Sequence, residues 1–116
     1  MKYDLEERVA RFGENIIIFA KSLRADTINQ PLVRQLIRSG TSTGANYLEA
    51  NQASSRRDFR NKICIARKEA NETRHWLRML AKANPEQAGM SNKLWQEASE
   101  LTMIFGKIVG TLDKKK

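Results

Sequence analysis

The chain has 116 residues, 41% of them hydrophobic and 29% charged, with 2 prolines, 6 glycines, one cysteine and a net charge of +8. That balance excludes a disordered chain, and one cysteine excludes a disulfide-stapled secreted module. The longest apolar run, Ile16 to Ala20, falls far short of the ~20 residues of a membrane span, and the acids of the opening MKYDLEER stand where a secretory signal would be apolar, so the expectation is one cytoplasmic domain over 1–116 with no membrane contact.

Four helices are predicted, near 4–24, 31–53, 55–83 and 91–112. In the first, Leu5, Val9, Phe12, Ile16, Phe19 and Leu23 step by four and three residues, an apolar seam on one face. Asp4, Glu6 and Glu7 suit its N-terminal dipole. The polar stretch 24–30 connects it to the second helix, with Asn29 or Gln30 expected as the cap and Pro31 in the first turn, where no backbone N–H is needed. The seam of that helix is Val33, Leu36, Gly40, Thr43, Tyr47 and Ala50. Its middle, Ser39 to Ala45, consists of small residues. Each interior glycine costs about 1 kcal/mol of helix stability, and close approach of a neighbouring backbone is the expected compensation, the alternative being a loop that splits this helix.

The third helix is expected to start at Ser54 or Ser55, with Ser55 and Asp58 forming a variant capping box. Phe59, Ile63, Ala66, Ala70, Thr73, Leu77 and Leu80 then repeat without a break up to Asn84-Pro85. Gly89 is placed in the next loop and Ser91 as the cap of the fourth helix, whose seam is Leu94, Ala98, Leu101, Phe105, Ile108 and Leu112. No segment alternates apolar and polar residues as a strand would. The fold class is all-α, an up-and-down antiparallel four-helix bundle.

The charge is unevenly placed. Residues 1–30 carry five basic and five acidic side chains, residues 31–82 eleven and four, and residues 83–116 five and four. Within the third helix Arg56, Arg60, Arg67, Arg74 and Arg78 are spaced so that an ideal helix confines them to an arc of about 40°, roughly 85° from the apolar seam. None has an acid three or four residues away on its own helix, and Asp58/Lys62 and Lys68/Glu72 are expected to pair with each other. The stripe, with Arg57 at its end, therefore either meets an anion or pairs with acids of another helix or subunit. Arginine's fit to phosphate makes nucleic acid the expected partner. Stacking is expected to contribute little, since the stripe contains no aromatic residue. Arg38, opposite residue 70 across the second hairpin, is expected to join Glu69 and Glu72 in a structural ion-pair cluster. Ile65 and Trp76 on the other flank of the helix, with Ile18, are candidate subunit-contact residues.

Catalytic and metal chemistry find little to use. Glu72-x-x-His75 has the spacing of a carboxylate-bridged di-metal helix, but such a site takes two of these motifs and the chain has one histidine. Cys64 and His75 are eleven residues apart, about 16 Å along a helix, too far to act as nucleophile and base within one chain. The expectation is no enzyme, no cofactor and no metal.

The segment RSGTSTGANYLEANQASSRRDFRNKICIARKEANETRHWL, residues 38–77, resembles the bacterial four-helix-bundle proteins named for the 23S rRNA intervening sequences in which some are encoded. The resemblance lies in Arg38-Ser39 through Ala45-Asn46, Glu49-Ala50, Ser55 through Phe59, Ile65-Ala66, and Lys68 through Leu77. It implies a bundle that assembles as a ring, a homopentamer. The accessory proteins of diversity-generating retroelements, a related group, bind nucleic acid and a reverse transcriptase. Two functions follow as alternatives: a nucleic-acid-binding oligomer, RNA before DNA, that uses Arg56, Arg57, Arg60, Arg67, Arg74 and Arg78, or a scaffolding ring that binds a protein partner and has no direct nucleic-acid role.

Overall fold

In the computed structural model, which describes residues 2–115 and the side chains of 4–115, the chain forms α1 (Lys2–Ser22), α2 (Asn29–Asn51), α3 (Arg56–Ala83) and α4 (Ala88–Lys114). One turn of 3₁₀ helix, Pro85–Gln87, leads into α4. Each helix packs on the next in sequence and α4 returns to α1, so the four surround one core in an up-and-down, antiparallel order, 48 Å along the long axis.

Local chemistry sets the helix ends. Ser55 caps α3, its Oγ accepting from the Asp58 N–H at 3.0 Å. At α2 the cap is Asp26, whose Oδ1 accepts from the Asn29 N–H at 2.7 Å, rather than Asn29 or Gln30. Asn29 is thereby freed to point inward, where it is buried. The start of α4 also differs from the expectation. Pro85 cannot continue α3, but its fixed φ suits a tight turn, and that turn passes directly into α4 three residues ahead of Ser91. Ser91 is not a cap: it is buried, and its Oγ donates to the Leu77 carbonyl at 2.7 Å. Gly89 lies inside the helix, not in a loop.

The four seams meet in the core. Phe12, Ile16, Phe19, Leu36, Ile63, Leu77, Leu80, Leu101 and Phe105 are fully buried, each worth about 1.5–3 kcal/mol of apolar burial. Beyond Phe105 the seam of α4 steps by four to Val109, leaving Ile108 and Leu112 half-buried. Between α1 and α2 the expected close approach is present. A methyl group added to Gly40 would lie 2.9 Å from Ile16 Cγ2, and one added to Gly44 would lie 3.4 Å from the Val9 carbonyl oxygen.

Polar groups in the core are satisfied locally. The Thr73 and Ser39 hydroxyls lie 2.9 Å apart across α3 and α2, and Thr73 also bonds the Glu69 carbonyl at 2.7 Å. At the end of the bundle where α1–α2 and α3–α4 connect, the Asn29 and Asn84 amides bond each other reciprocally at 3.0 and 2.9 Å. Asn29 also donates to the Arg24 carbonyl and Asn84 to the Leu80 carbonyl, both at 2.9 Å.

Most of the ion pairs run between helices, although Arg11 with Glu7, at 3.1 Å, runs along α1. Lys62 bonds Glu49 of α2 at 2.8 Å, which holds its ammonium above the usual lysine range, and not Asp58. Glu72 bonds Arg38 and not Lys68. Between α1 and α4, Arg8 bonds Glu97 through two nitrogens at 2.7 and 2.8 Å and Glu100 at 2.6 Å. No sequence pattern points to this bridge, because its members are some ninety residues apart.

Candidate nucleic-acid interface

The arginine stripe of α3 faces α4, and the second helix changes its character. The Arg60 guanidinium takes both carboxylate oxygens of Asp113, at 2.7 and 2.9 Å, and the hydrogen bond to Asp113 raises its pKa above the ordinary arginine value. Arg56 donates to the Leu112 carbonyl near the C-terminal end of α4, an interaction the helix dipole favours. Arg60 therefore has its acid on a neighbouring helix, one of the two courses open to the stripe.

The middle of the stripe lies over a gap made by a small residue. A methyl group at Gly106 would sit 3.3 Å from the Arg67 Cζ and Nη2. Glycine lets this side chain lie flat across α4. No acid pairs with Arg57, Arg67 or Arg78 among the described residues, and all three are exposed. Arg74 is partly buried. Its Cζ lies 4.5 Å from the centroid of the Trp95 ring, and Nη1 donates to Asn71 Oδ1 at 3.1 Å. The sequence does carry a signal for Trp95: it stands one residue beyond Leu94 in the α4 seam, on the flank facing α3. The expectation of a stripe without aromatic company holds for α3 alone and fails once α4 is in place.

On the opposite flank, Arg38 joins the cluster assigned to it. Nη1 donates to Glu69 Oε1 at 3.0 Å, Nη2 bonds Glu72 Oε2, and Nε donates to Gln35 Oε1 at 3.1 Å. Trp76 Nε1 also donates to Glu72 Oε2, at 2.9 Å. Glu72 Oε2 thus ties α2 to α3 through Arg38 and is steadied within α3 by Trp76. His75 is exposed and packs edge-on to Trp76. Among the described residues no cluster of His, Cys, Asp or Glu is arranged to hold a metal. Cys64 is partly buried, with Arg60 Nη1 3.8 Å from its sulfur.

Large apolar side chains also reach the surface: Ile17, Ile18 and Leu48 on the α1–α2 side, Ile28 in the loop between them, Ile65 on α3, and Met90 and Met103 on α4. Ile17 and Leu48 border a largely apolar cleft of about 760 Å³ between α1 and α2. No helix among the described residues is long and apolar enough to cross a membrane.

The comparisons agree with this architecture. The model of the 23S rRNA-intervening sequence protein family matches residues 2–107. The crystal structure of a protein of unknown function from the S23 ribosomal protein family of Bacteroides thetaiotaomicron superposes with a TM-score of 0.85 at 34% identity, covering 95% of this chain and 99% of that one. No curated protein matches the chain. A match of the family model over nearly the whole length, with a structure alike in fold and sequence, establishes that the chain belongs to the 23S rRNA-intervening sequence protein family.

Proposed function

We propose that the chain is the subunit of a closed homo-oligomer, a pentamer, that binds nucleic acid, RNA before DNA, in the cytoplasm through the α3–α4 face and catalyses no reaction. The observation that carries this reading is the trio Arg57, Arg67 and Arg78, exposed and without an acid partner among the described residues. Arg56 and Arg60, at one end of the face, are already engaged with α4, so the unpaired trio supplies the charge left for phosphate. A ring repeats the face once per subunit, which multiplies phosphate contacts without new chemistry. The exposed Ile17, Ile18 and Leu48 supply apolar surface for self-association. The family is named for 23S rRNA intervening sequences, which is in keeping with an RNA ligand. Phosphate contacts position a strand without reading its sequence, so discrimination between sequences should be weak.

The test is affinity for a single-stranded RNA over a salt series. Arg57→Gln, Arg67→Gln and Arg78→Gln together should weaken binding and flatten the slope of log affinity against log salt by about 0.7 for each phosphate no longer neutralised. Light scattering should show the same oligomer before and after. An unchanged slope would overturn the reading, above all if deleting Lys114–Lys116 alone abolished binding. Capture of one protein partner by both the triple variant and the unaltered chain under nuclease, with no RNA affinity in either, would favour the scaffolding ring.

A further inference from the structure

Beside the arginine stripe, α3 and α4 part to leave a cleft of about 710 Å³, within the size range of small-molecule sites. We infer that this cleft is a subsite for a single unstacked nucleotide, in which Arg74 and Trp95 offer the stacking platform, Asn92 and Gln96 meet the base edge and Arg78 takes the adjoining phosphate. The inference rests on the reading of the α3–α4 face as a nucleic-acid surface and adds a base-recognising element to it.

Four observations converge on the cleft. Trp95 is paired with a guanidinium, the Arg74 Cζ being 4.5 Å from its ring centroid, and such a pair is a stacking surface for a planar base. Arg74 Nε is buried and has no hydrogen-bond acceptor, although Nη1 is held by Asn71. A buried donor left unmet is costly, and it marks Arg74 as a side chain whose polar contacts beside the cleft are incomplete. Asn92 and Gln96 are exposed, line the cleft from α4, and make no hydrogen bond to described residues. Each amide offers a donor and an acceptor together, the pattern that base edges present. No aspartate or glutamate lines the cleft, so nothing in it repels phosphate. A base stacked inside a duplex cannot enter, which restricts the site to single strands, loops and ends.

Replacing Trp76 with Phe leaves Trp95 as the only tryptophan of the 2 in the chain, and its emission then reports on the cleft. The probes are a labelled single-stranded RNA oligonucleotide, the DNA strand of the same sequence, an abasic strand of equal length and a duplex. Both base-bearing strands should quench Trp95 and bind roughly fivefold or more tightly than the abasic strand, the least expected of one stacked base. A preference for RNA over DNA would show that the 2′-hydroxyl is also read. The abasic strand and the duplex should bind in a salt-dependent way and leave the emission unchanged. Asn92→Ala with Gln96→Ala, both at exposed positions, should weaken the base-bearing strands toward abasic affinity without reaching it, because the stacking platform remains, and should leave the salt slope intact. Equal affinity for base-bearing and abasic strands, with no change in Trp95, would overturn the subsite and leave the electrostatic reading standing. Failure of every strand to bind would overturn both. Trp95 emission that shifts with protein concentration alone would show that a second copy of the chain covers the cleft, and would likewise overturn the subsite.

Discussion

The two sides of the bundle each place a glycine in mid-helix, and the glycines do opposite things. On the α1–α2 side, Gly40 lets two helices touch: a methyl there would meet the fully buried Ile16 at 2.9 Å. On the α3–α4 side, Gly106 lets a long cation lie down: a methyl there would meet only the end of the Arg67 side chain at 3.3 Å. The first glycine is fixed by rigid neighbours, the second by a flexible one. A small residue in a helix therefore marks either a packed seam or the bed of a surface side chain, and its neighbour's freedom to move tells which.

The largest effect expected in this comparison lies between the two sides, at the core they share. Leu77 is fully buried on α3, and Leu77→Ala should cost about 2–5 kcal/mol in denaturant unfolding. A cost within error would mean that the α3 seam does not carry the core. Next comes the rigid glycine. Gly40→Val should destabilise by about 1–3 kcal/mol through overpacking, seen as a lower midpoint at unchanged denaturant slope. Tolerance of valine would remove the contrast between the two sides. Smallest, and of opposite sign, is Gly106→Ala. Alanine gains up to about 1 kcal/mol of helix propensity, and Arg67 needs only to swing aside, so the midpoint should hold or rise. A clear decrease would show that Arg67 is fixed in place and belongs to the packing rather than to the surface available for phosphate.

Much of the fold is legible in the sequence because it is local. The seams of α2 and α3, the Ser55 cap and the tight α1–α2 packing follow from spacing and residue size along single helices. Arg38 reaches Glu69 and Glu72 because a hairpin with a short turn fixes which residues face each other. What escapes a sequence reading comes from pairs distant in the chain. Arg8 with Glu97, Arg60 with Asp113 and Arg74 with Trp95 all involve α4, whose rotation about its own axis no local pattern sets. The start of α4 differs for another reason: Ser91 has the chemistry of a cap, but Pro85 has already begun the turn. The arginines group on one face of α3 by spacing alone, but which of them remain available depends on α4 and is visible only in three dimensions.

The reciprocal Asn29–Asn84 amides have a consequence beyond filling hydrogen bonds. Seams that step by fours and threes look nearly the same after a shift of seven residues, so apolar packing alone tolerates one helix sliding past another. The amides do not. A slip of seven residues would part them by about 10.5 Å and leave both amide oxygens without a donor in an apolar setting. The Ser39–Thr73 pair makes a second mark on the same two helices, ten residues along α2 and eleven along α3. The two intervals match to within one residue's rise, at about 15 and 16.5 Å. Together they act as a vernier scale: α2 and α3 fit at one setting, and the stripe that α3 presents to α4 is held at a fixed height along the bundle.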